Sequence, residues 1–468
     1  MTDIDMFQFI EKGTRGGISY IANRFGEVNN KYMKEYNKEK PSKYIMYLDA
    51  NNLYGYAMSQ YLPTGGFKWL TEKQIDKIMK KTILSDNKKG YMLEVDLEYP
   101  EGFHEMHNDY PLAADKMKVT NDMLSPYCKT IQETFGVTIG QVAKLTPTLT
   151  EKKNYVLHYR NLQLYLSLGL RLKKVHRVLE FDQSPWLRQY IDFNTQKHAG
   201  AKNVFEKDFF KLMNNSIYGK TCENLRKRVD VSLVTDKSKL SKLASKPTYV
   251  NSKIFTEDLV ADHKIKETLK LDRPAHVGMC ILDLSKTLMY DFHYNYINKR
   301  YNNKAKLLFT DTDSLCYEIE TQDIYEELWQ DRNLFDNSDY PKDSNFFDST
   351  NKKVIGKFKD EAAGIPIVEF IGLRSKMYSY VKDNGKNEKT AKGVRKYVIK
   401  KNITHENYKD CLLNRKQMLH SMCTIRSACH QIGSYQLNKV SLSCFDDKRY
   451  ILGDGITSFT YGHKNISK

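Results

Sequence analysis

Three groups of residues carry the types and spacing that phosphoryl transfer needs. Asp49 ends the β-prone run Tyr44 to Leu48, and Asp311 and Asp313 stand at the apex of a second such run, 305–309. Carboxylates at strand ends can meet in space even when about 260 residues separate them in sequence. Their hard oxygens suit Mg²⁺. Two such ions roughly 3.5–4 Å apart can activate an attacking 3′-oxygen and stabilise a leaving pyrophosphate. Asp311 and Asp313 are two apart, so an extended strand would place both on one face. Taken alone, Asp311-Thr312-Asp313-Ser314 reads equally well as a polar hairpin turn.

The second group is Lys211, Asn215 and Tyr218, followed by Gly219 and Lys220. Helical spacing sets the first three on one face, and Lys207 extends the row by a turn. A lysine offers a point charge to triphosphate oxygens, a tyrosine ring a flat surface for a base or sugar, and Gly219 room for close approach. The plainer alternative is a solvated basic helix, but Phe209, Phe210 and Leu212 are expected to supply its core face, which leaves the lysine–tyrosine row unexplained. The third group is Lys376 and Tyr378, which a β context would point the same way, toward a duplex backbone. An ordinary edge strand is the alternative there. The basic run Lys386 to Lys401 adds phosphate attraction.

The elements that must position these groups follow from periodicity. A strand 44–48 is followed by the polar turn Ala50-Asn51-Asn52, residues 71–90 read as an exposed helix, and Tyr91 to Leu97 as a strand. The stretch 155–172 is helical or mixed, and 201–228 is the clearest polar-faced helix. The region 230–275 reads as an inserted loop or small subdomain. Val277, Ile281, Leu284, Leu288 and Phe292 predict a helix burying one stripe. A β-hairpin spans 305–319, residues 330–352 are polar and turn-rich, and Ile367 to Ile371 is strand-like. Beyond 390 the chain is basic and partly helical, and Gly16-Gly17 marks a tight backbone passage.

A chain of 468 residues with 74 Lys and Arg against 57 Asp and Glu has a formal charge of +17, which favours a polyanionic partner. Eight cysteines are scattered without a CxxC pair. Reduced, buried thiols in an intracellular compartment are expected, with Cys423, Cys429 and His430 the nearest approach to a zinc cluster. His104 and His107, near Asp109 and Asp115, are a second weak metal candidate. No run suits a membrane span, and the acidic N-terminus is no signal peptide.

In this order, the three groups resemble the motifs of family B DNA polymerases, most closely the protein-primed branch of phages, linear plasmids, DNA viruses and self-synthesising transposons. Asp49-Ala50-Asn51-Asn52-Leu53-Tyr54-Gly55 resembles motif A, with Asn52 and Gly55 where Ser and Pro are commoner. Lys211 to Gly219 matches Kx3NSxYG, Phe309 to Ser314 matches YxDTDS with Phe for Tyr, and Lys376-Met377-Tyr378 resembles KxY. Thr14-Arg15-Gly16-Gly17 is similar to the template-touching YxGG segment, with Thr for Tyr. The resemblance implies an α+β right-hand fold. Its parts would be a lead-in at 1–40, a first palm part with an inserted subdomain at 41–200, fingers and insertion at 201–275, a second palm part with the catalytic hairpin at 276–384, and a basic thumb at 385–468.

It further implies Asp49, Asp311 and Asp313 as ligands of two Mg²⁺ ions, for which Mn²⁺ can substitute. Tyr54 would be the gate against a 2′-hydroxyl. Lys207, Lys211, Asn215 and Tyr218 would bind the nucleotide, and Arg15, Gly16, Gly17, Gly219, Lys376 and Tyr378 the DNA. The implied partners are primer-template DNA, dNTPs and a terminal protein as an alternative primer, for a monomer acting in the nucleus or at a site of viral or element replication. Asp96 and Glu98 have the look of an exonuclease DxE but follow motif A, so a palm strand is expected there and no proofreading by this chain alone. A DNA-binding relic without turnover is the competing reading. A metal-dependent nuclease leaves the 211–218 helix row unexplained, and a reverse transcriptase or RNA polymerase would be expected to show adjacent aspartates in its hairpin.

Overall fold

Aromatic and aliphatic residues alternate through Lys43–Ala50, and in the computed structural model, which describes residues 3–80, 85–428 and 430–466, they form an eight-residue strand. It is the centre of a nine-stranded antiparallel sheet. One edge pairs with Ser314–Glu320, which continues to Ala305–Asp311 and then to Ser19–Ile21. The other edge is shared: Ile45 meets Ile367 of Ile367–Arg374, while Leu48 to Ala50 pair with Phe358–Asp360. Met377–Lys382 and Asn387–Ala391 extend the sheet, and Phe25–Glu27 pairs with Ile367–Arg374.

The helix expected from Val277 onward runs Ala275–Asp291 and is buried almost all round rather than along one stripe. It lies between the central sheet and a second, four-stranded antiparallel sheet ordered Leu62–Trp69, Arg171–Ser184, Lys89–Glu98, Lys152–His158. The helix expected over 71–90 is shorter, Glu72–Met79. Residues 81–84 lie outside the described residues, and a strand already begins at Lys89. The stretch 155–172 divides into the end of a strand, the helix Tyr159–Ser167 and the start of the next strand. The lysine- and serine-rich insertion is a three-stranded sheet, Val229–Val234, Tyr249–Thr256 and Leu259–Ile265, with the helix Lys237–Ala244.

Beyond 390 the expected helices are present, Lys396–Asn402 and His405–Leu413. The periodicity did not announce the long hairpin Gln417–Ala428 and Gln431–Ser443, whose largely exposed faces lack the apolar alternation that marks a packed strand. Among the described residues no helix is long and apolar enough to cross a membrane. Cys128, Cys280, Cys316, Cys411 and Cys444 are buried free thiols, Cys423 is exposed, and Cys429 lies outside the described residues.

The segments 19–28, 367–374 and 444–459 are joined by one side chain. Arg24 is buried and donates to the carbonyls of Gly372 (3.3 Å), Leu373 (2.9 Å), Cys444 (2.6 Å) and Gly455 (2.7 Å). A buried guanidinium satisfied by backbone carbonyls leaves several polar groups unpaired when it is removed. Arg24→Met is therefore expected to cost about 3–5 kcal/mol in urea unfolding, the range for breaking a buried charged network. A loss below about 1 kcal/mol, the scale of a single ordinary hydrogen bond, would show that this cross-tie is not what holds the segments together.

Candidate active site

Register places the two principal carboxylates. Ser314 lies opposite Asp49 in the antiparallel pair, and the Ala50 amide donates to the Asp313 carbonyl at 2.7 Å. The turn between the strands differs from the expected extended Asp-Thr-Asp. Thr312 has φ +65°, the left-handed region that a β-branched residue rarely enters, so Asp311 and Asp313 sit on opposite limbs of a reversal. The Asp313 amide closes this turn on the Asp311 carbonyl at 2.8 Å, and the Thr312 amide donates to the Ile18 carbonyl at 2.8 Å. A Cβ on Gly17 would fall 2.4 Å from Thr312 Oγ1, so the lead-in glycine is demanded by close approach to the hairpin apex. Arg15 is turned inward, its guanidinium over the Tyr155 ring at 3.6 Å and bonded to the Val156 carbonyl at 2.7 Å. Gly16 and Gly17 are the exposed members of that segment.

Tyr54 lies on the short helix Leu53–Met58, which starts immediately after the Asp49 strand. Asn52 caps this helix in a left-handed conformation, φ +43°, and its Oδ1 accepts from the Gly55 amide at 3.1 Å. A Cβ on Gly55 would lie 2.2 Å from the Asn52 side chain. The two departures from the commoner motif A are thus one local solution, a left-handed asparagine cap over a glycine. The Tyr54 ring stacks on Tyr218 with centroids 4.3 Å apart and an interplanar angle of 24°.

Tyr218 belongs to the helix Val204–Thr221, capped by Asn203, whose side chain accepts from the Glu206 amide at 2.9 Å. Its Lys207, Lys211 and Asn215 are exposed. The assignment of Phe209, Phe210 and Leu212 to a core face is corrected: Phe209 is 44% and Leu212 63% exposed, while Asn214 and Thr221 are the buried positions. The helix packs through these and through half-buried Ile217 and Tyr218, so its Phe205–Phe209–Leu212 stripe is an outer surface. Among the described residues no atom lies within 4 Å of a Cβ built on Gly219, so none of them requires glycine there.

Asp49, Asp313, Tyr54, Lys211 and Asn215 line one open cavity of about 590 Å³. Burial raises the Asp49 carboxyl to about 8, the charges of Asp313 and Glu361 add to the shift, and Lys359 and Lys211 oppose it. Asp313 is also raised, by burial first and by Asp311, against Lys376 and Lys211. Adjacent hard-oxygen donors whose charges repel fit divalent cations of the Mg²⁺ class. Among the described residues no group of three or more Asp, Glu, His or Cys could hold a metal. The two carboxylates would therefore need further oxygen ligands from water or a bound phosphate.

Asp311 is not part of that lining. Lys376 Nζ lies 3.0 Å from its Oδ1, with Lys376 itself in a left-handed turn, φ +59°. Lys376 and Tyr378 do not form the expected exposed pair, because Tyr378 is buried, stacked on Phe309 at 4.3 Å with its hydroxyl 3.3 Å from that of Tyr47. Asp96 and Glu98 are engaged by His176 (2.9 Å) and Lys173 (2.6 Å) on the second sheet. His104 Nδ1 accepts from the Lys464 amide at 3.0 Å, and His107 Nδ1 lies 2.8 Å from the Tyr99 hydroxyl. Asp109 Oδ2 accepts from the Leu307 amide at 3.1 Å and Asp115 is bonded to Lys152 at 2.5 Å, so the candidate group His104, His107, Asp109 and Asp115 consists of structural contacts. Sequence reasoning missed Asp336, Lys353, Lys359 and Glu361, which also line the cavity. Their turn-rich segment carries no motif, and the pairing of Lys359 opposite Asp49, with the Asn51–Asp336 hydrogen bond, brings it to the site.

Residues 1–299 match the profile of a family described as DNA polymerase type B, organellar and viral. No curated protein matches the chain. Among solved structures, Phi29 DNA polymerase complexed with primer-template DNA and incoming nucleotide substrates aligns at TM-score 0.57 and 14% identity, over 94% of this chain and 63% of that one. The orthorhombic form of Phi29 DNA polymerase gives 0.53 and 15% over the same shares. The post-translocation complex with primer-template DNA gives 0.51 and 16%, again over 94% and 63%. At such identities the likeness is one of fold, a mixed α/β architecture resembling a DNA polymerase. The chain spans about 63% of the length of these structures.

The Asp49 shift has a consequence for the metal-free protein. Its carboxyl moves from 3.8 to about 8, so the folded state holds a proton that the unfolded chain releases. Stability from this group is complete below the ordinary carboxylate range and is lost as pH rises through about 8. In EDTA, the melting temperature of the wild-type chain should fall between pH 6 and 8.5, and Asp49→Asn should flatten that fall and melt higher at pH 8.5. An unchanged pH slope in the variant would refute the assignment.

Proposed function

The chain belongs to the organellar and viral type B DNA polymerases, and we propose that it carries out template-directed DNA synthesis, moving deoxynucleoside monophosphates from dNTPs to a primer 3′-hydroxyl. The observation that carries this reading is the convergence of Asp49 and Asp313, from neighbouring strands, with Lys211 and Tyr54 around one cavity. Asp49 and Asp313 are the residues that would hold Mg²⁺ or Mn²⁺, and Asp311 acts through Lys376. When bound, such ions lower the pKa of the attacking hydroxyl and neutralise charge on the leaving pyrophosphate. The remaining work is positional.

Lys211 sets a point charge against the triphosphate, and Lys207, one turn earlier, adds to the field that draws it in. Asn215 and the Tyr218 ring bound the space for the nascent base pair. Tyr54, held by its stack on Tyr218, would pack under the incoming sugar and exclude a 2′-hydroxyl. Gly16, Gly17 and Gly219 offer open backbone to the nucleic acid, and Lys376, 40% exposed, offers a cation to the primer backbone. In this reading the central sheet is the palm, Val204–Thr221 the fingers and the segment after 385 the basic thumb. The 3′-hydroxyl of a nucleic acid and the hydroxyl of a terminal protein are both chemically suitable primers. No proofreading is assigned to Asp96 and Glu98, whose carboxylates are already engaged.

Primer extension with Mg²⁺ and each dNTP tests the reading. Wild type should copy the template, and Asp313→Asn should lose on the order of 10³-fold or more in kcat. Tight, salt-sensitive DNA binding without extension by wild type would replace the enzyme with a DNA-binding relic. A separate outcome concerns Tyr54→Val, which should raise ribonucleotide use relative to deoxyribonucleotide by on the order of tenfold or more. An unaltered ratio would remove Tyr54 from the role of gate.

A further inference from the structure

The cavity has a cation that none of the polymerase motifs contains. Lys353 lies in the turn-rich segment before Phe358–Asp360, and its side chain lines the cavity together with Lys211 and His198. Its backbone adopts φ +56°, a conformation costly for a residue with a Cβ, and it is held there from outside. The Lys353 amide donates to Asp336 Oδ2 at 2.8 Å, and the same oxygen accepts from Asn51 Nδ2 at 2.7 Å. The Gly356 amide donates to the Asn51 carbonyl and the Asn51 amide to the Lys357 carbonyl, both at 2.8 Å. Lys353 is thereby fixed relative to Asn51, two residues from the metal-binding Asp49.

Its charge is not paired by contact. Lys359, from the same segment, is paired with Glu361 at 2.8 Å and Asp339 at 3.1 Å. Among the described residues Lys353, Lys211 and Lys207 form no ion pair. Burial lowers the pKa of Lys353, and the charges of Lys207 and Lys352 push it the same way, while Asp339 and Asp336 pull back without reaching contact. His198 is lowered too, by burial and then by Lys353, Lys211 and Lys207. Lysines that repel one another in a cavity that also carries Asp49, Asp313, Asp336, Asp339 and Glu361 form a divided field, in which a polyanion with bound divalent metal would neutralise both signs.

We propose that Lys353 is a nucleotide-binding residue that contacts the β- and γ-phosphates of the incoming dNTP from the sheet side of the cavity, where Lys211 acts from the helix, and holds the pyrophosphate product. This rests on the polymerase reading, and it adds a cation whose place is set by the Asp336–Asn51 bridge. The test uses the full chain as wild type, Lys353→Ala, Lys353→Gly and Lys353→Arg. Two readouts are taken: KM for dATP in primer extension, and the Kd of Mg-dATP on a dideoxy-terminated primer-template.

Loss of one charge-assisted contact should raise both constants by about 10-fold or more in the Ala and Gly variants. The Arg variant should recover most of the loss, the Kd for primer-template should stay within about twofold, and the KM for pyrophosphate in the reverse reaction should rise in parallel. Wild-type constants in the Ala and Gly variants would overturn the proposal. So would a defect in Ala that Gly lacks, since that assigns the effect to the backbone. Should wild type bind Mg-dATP but extend no primer, the polymerase reading falls and the binding arm alone decides Lys353. Absence of Mg-dATP binding by wild type overturns both.

Discussion

Two carboxylates held side by side and partly shielded from water repel each other, and the fold around Asp49 and Asp313 offsets that repulsion without cancelling it. The backbone ladder between Lys43–Ala50 and Ser314–Glu320 continues for seven residues from the site, so the pair cannot separate without breaking the centre of the sheet. Lys211 and Lys359 reduce the repulsion from two directions, yet neither forms an ion pair with Asp49 or Asp313. Lys359 is taken by Glu361 and Asp339, and Lys376 by Asp311. Among the described residues, no lysine or arginine is consequently in ion-pair contact with either carboxylate. Stability spent at this point is recovered elsewhere, in the buried helix Ala275–Asp291 and in cross-ties such as Arg24.

Strain is present here too, at four of the ten non-glycine residues with positive φ among the described residues. Asn52, Thr312, Lys353 and Lys376 all adopt positive φ. Each lies in or beside a segment that presents a cavity or hairpin residue. Each is also held by a partner remote in sequence or by a local cap: Thr312 by Ile18 and Gly17, Lys353 by Asp336, Lys376 by Asp311, and Asn52 by Gly55. Backbone conformations of this kind persist only where the surroundings over-determine them. At Lys353 the over-determination comes from a segment without a motif, whereas at Asn52, Thr312 and Lys376 it comes from the motif segments themselves.

That division explains what could be read from the chain. That Asp49, Lys211 and Asp313 would meet was legible because each stands in a short stretch whose residue types and spacing mark it, and all three line one cavity. The mixed α/β character and the central hairpin followed from the same periodicities. Lys353, Asp336 and Glu361 were not legible, because they reach the cavity through the pairing of Phe358–Asp360 with Lys43–Ala50, across about 310 residues. The outward stripe of Phe205, Phe209 and Leu212 misled for a different reason, since apolar side chains on a helix announce burial only if another element covers them. Tyr378 misled in the opposite sense, a polar-tipped ring that the Phe309 stack draws inward.

The order of strands in the central sheet also bears on how the chain reaches its folded state during synthesis. The strand Lys43–Ala50 leaves the ribosome more than 260 residues before its partner Ser314–Glu320, and Phe358–Asp360 follows later still. Contacts of such sequence separation form slowly, because loop-closure entropy precedes the reward of pairing. The four-stranded sheet spanning residues 62–184 is, by contrast, local enough to form first. Until the late strands arrive, this largely apolar eight-residue strand has two unpaired edges that must be kept from other chains, so the nascent chain is exposed to aggregation through the strand that carries Asp49.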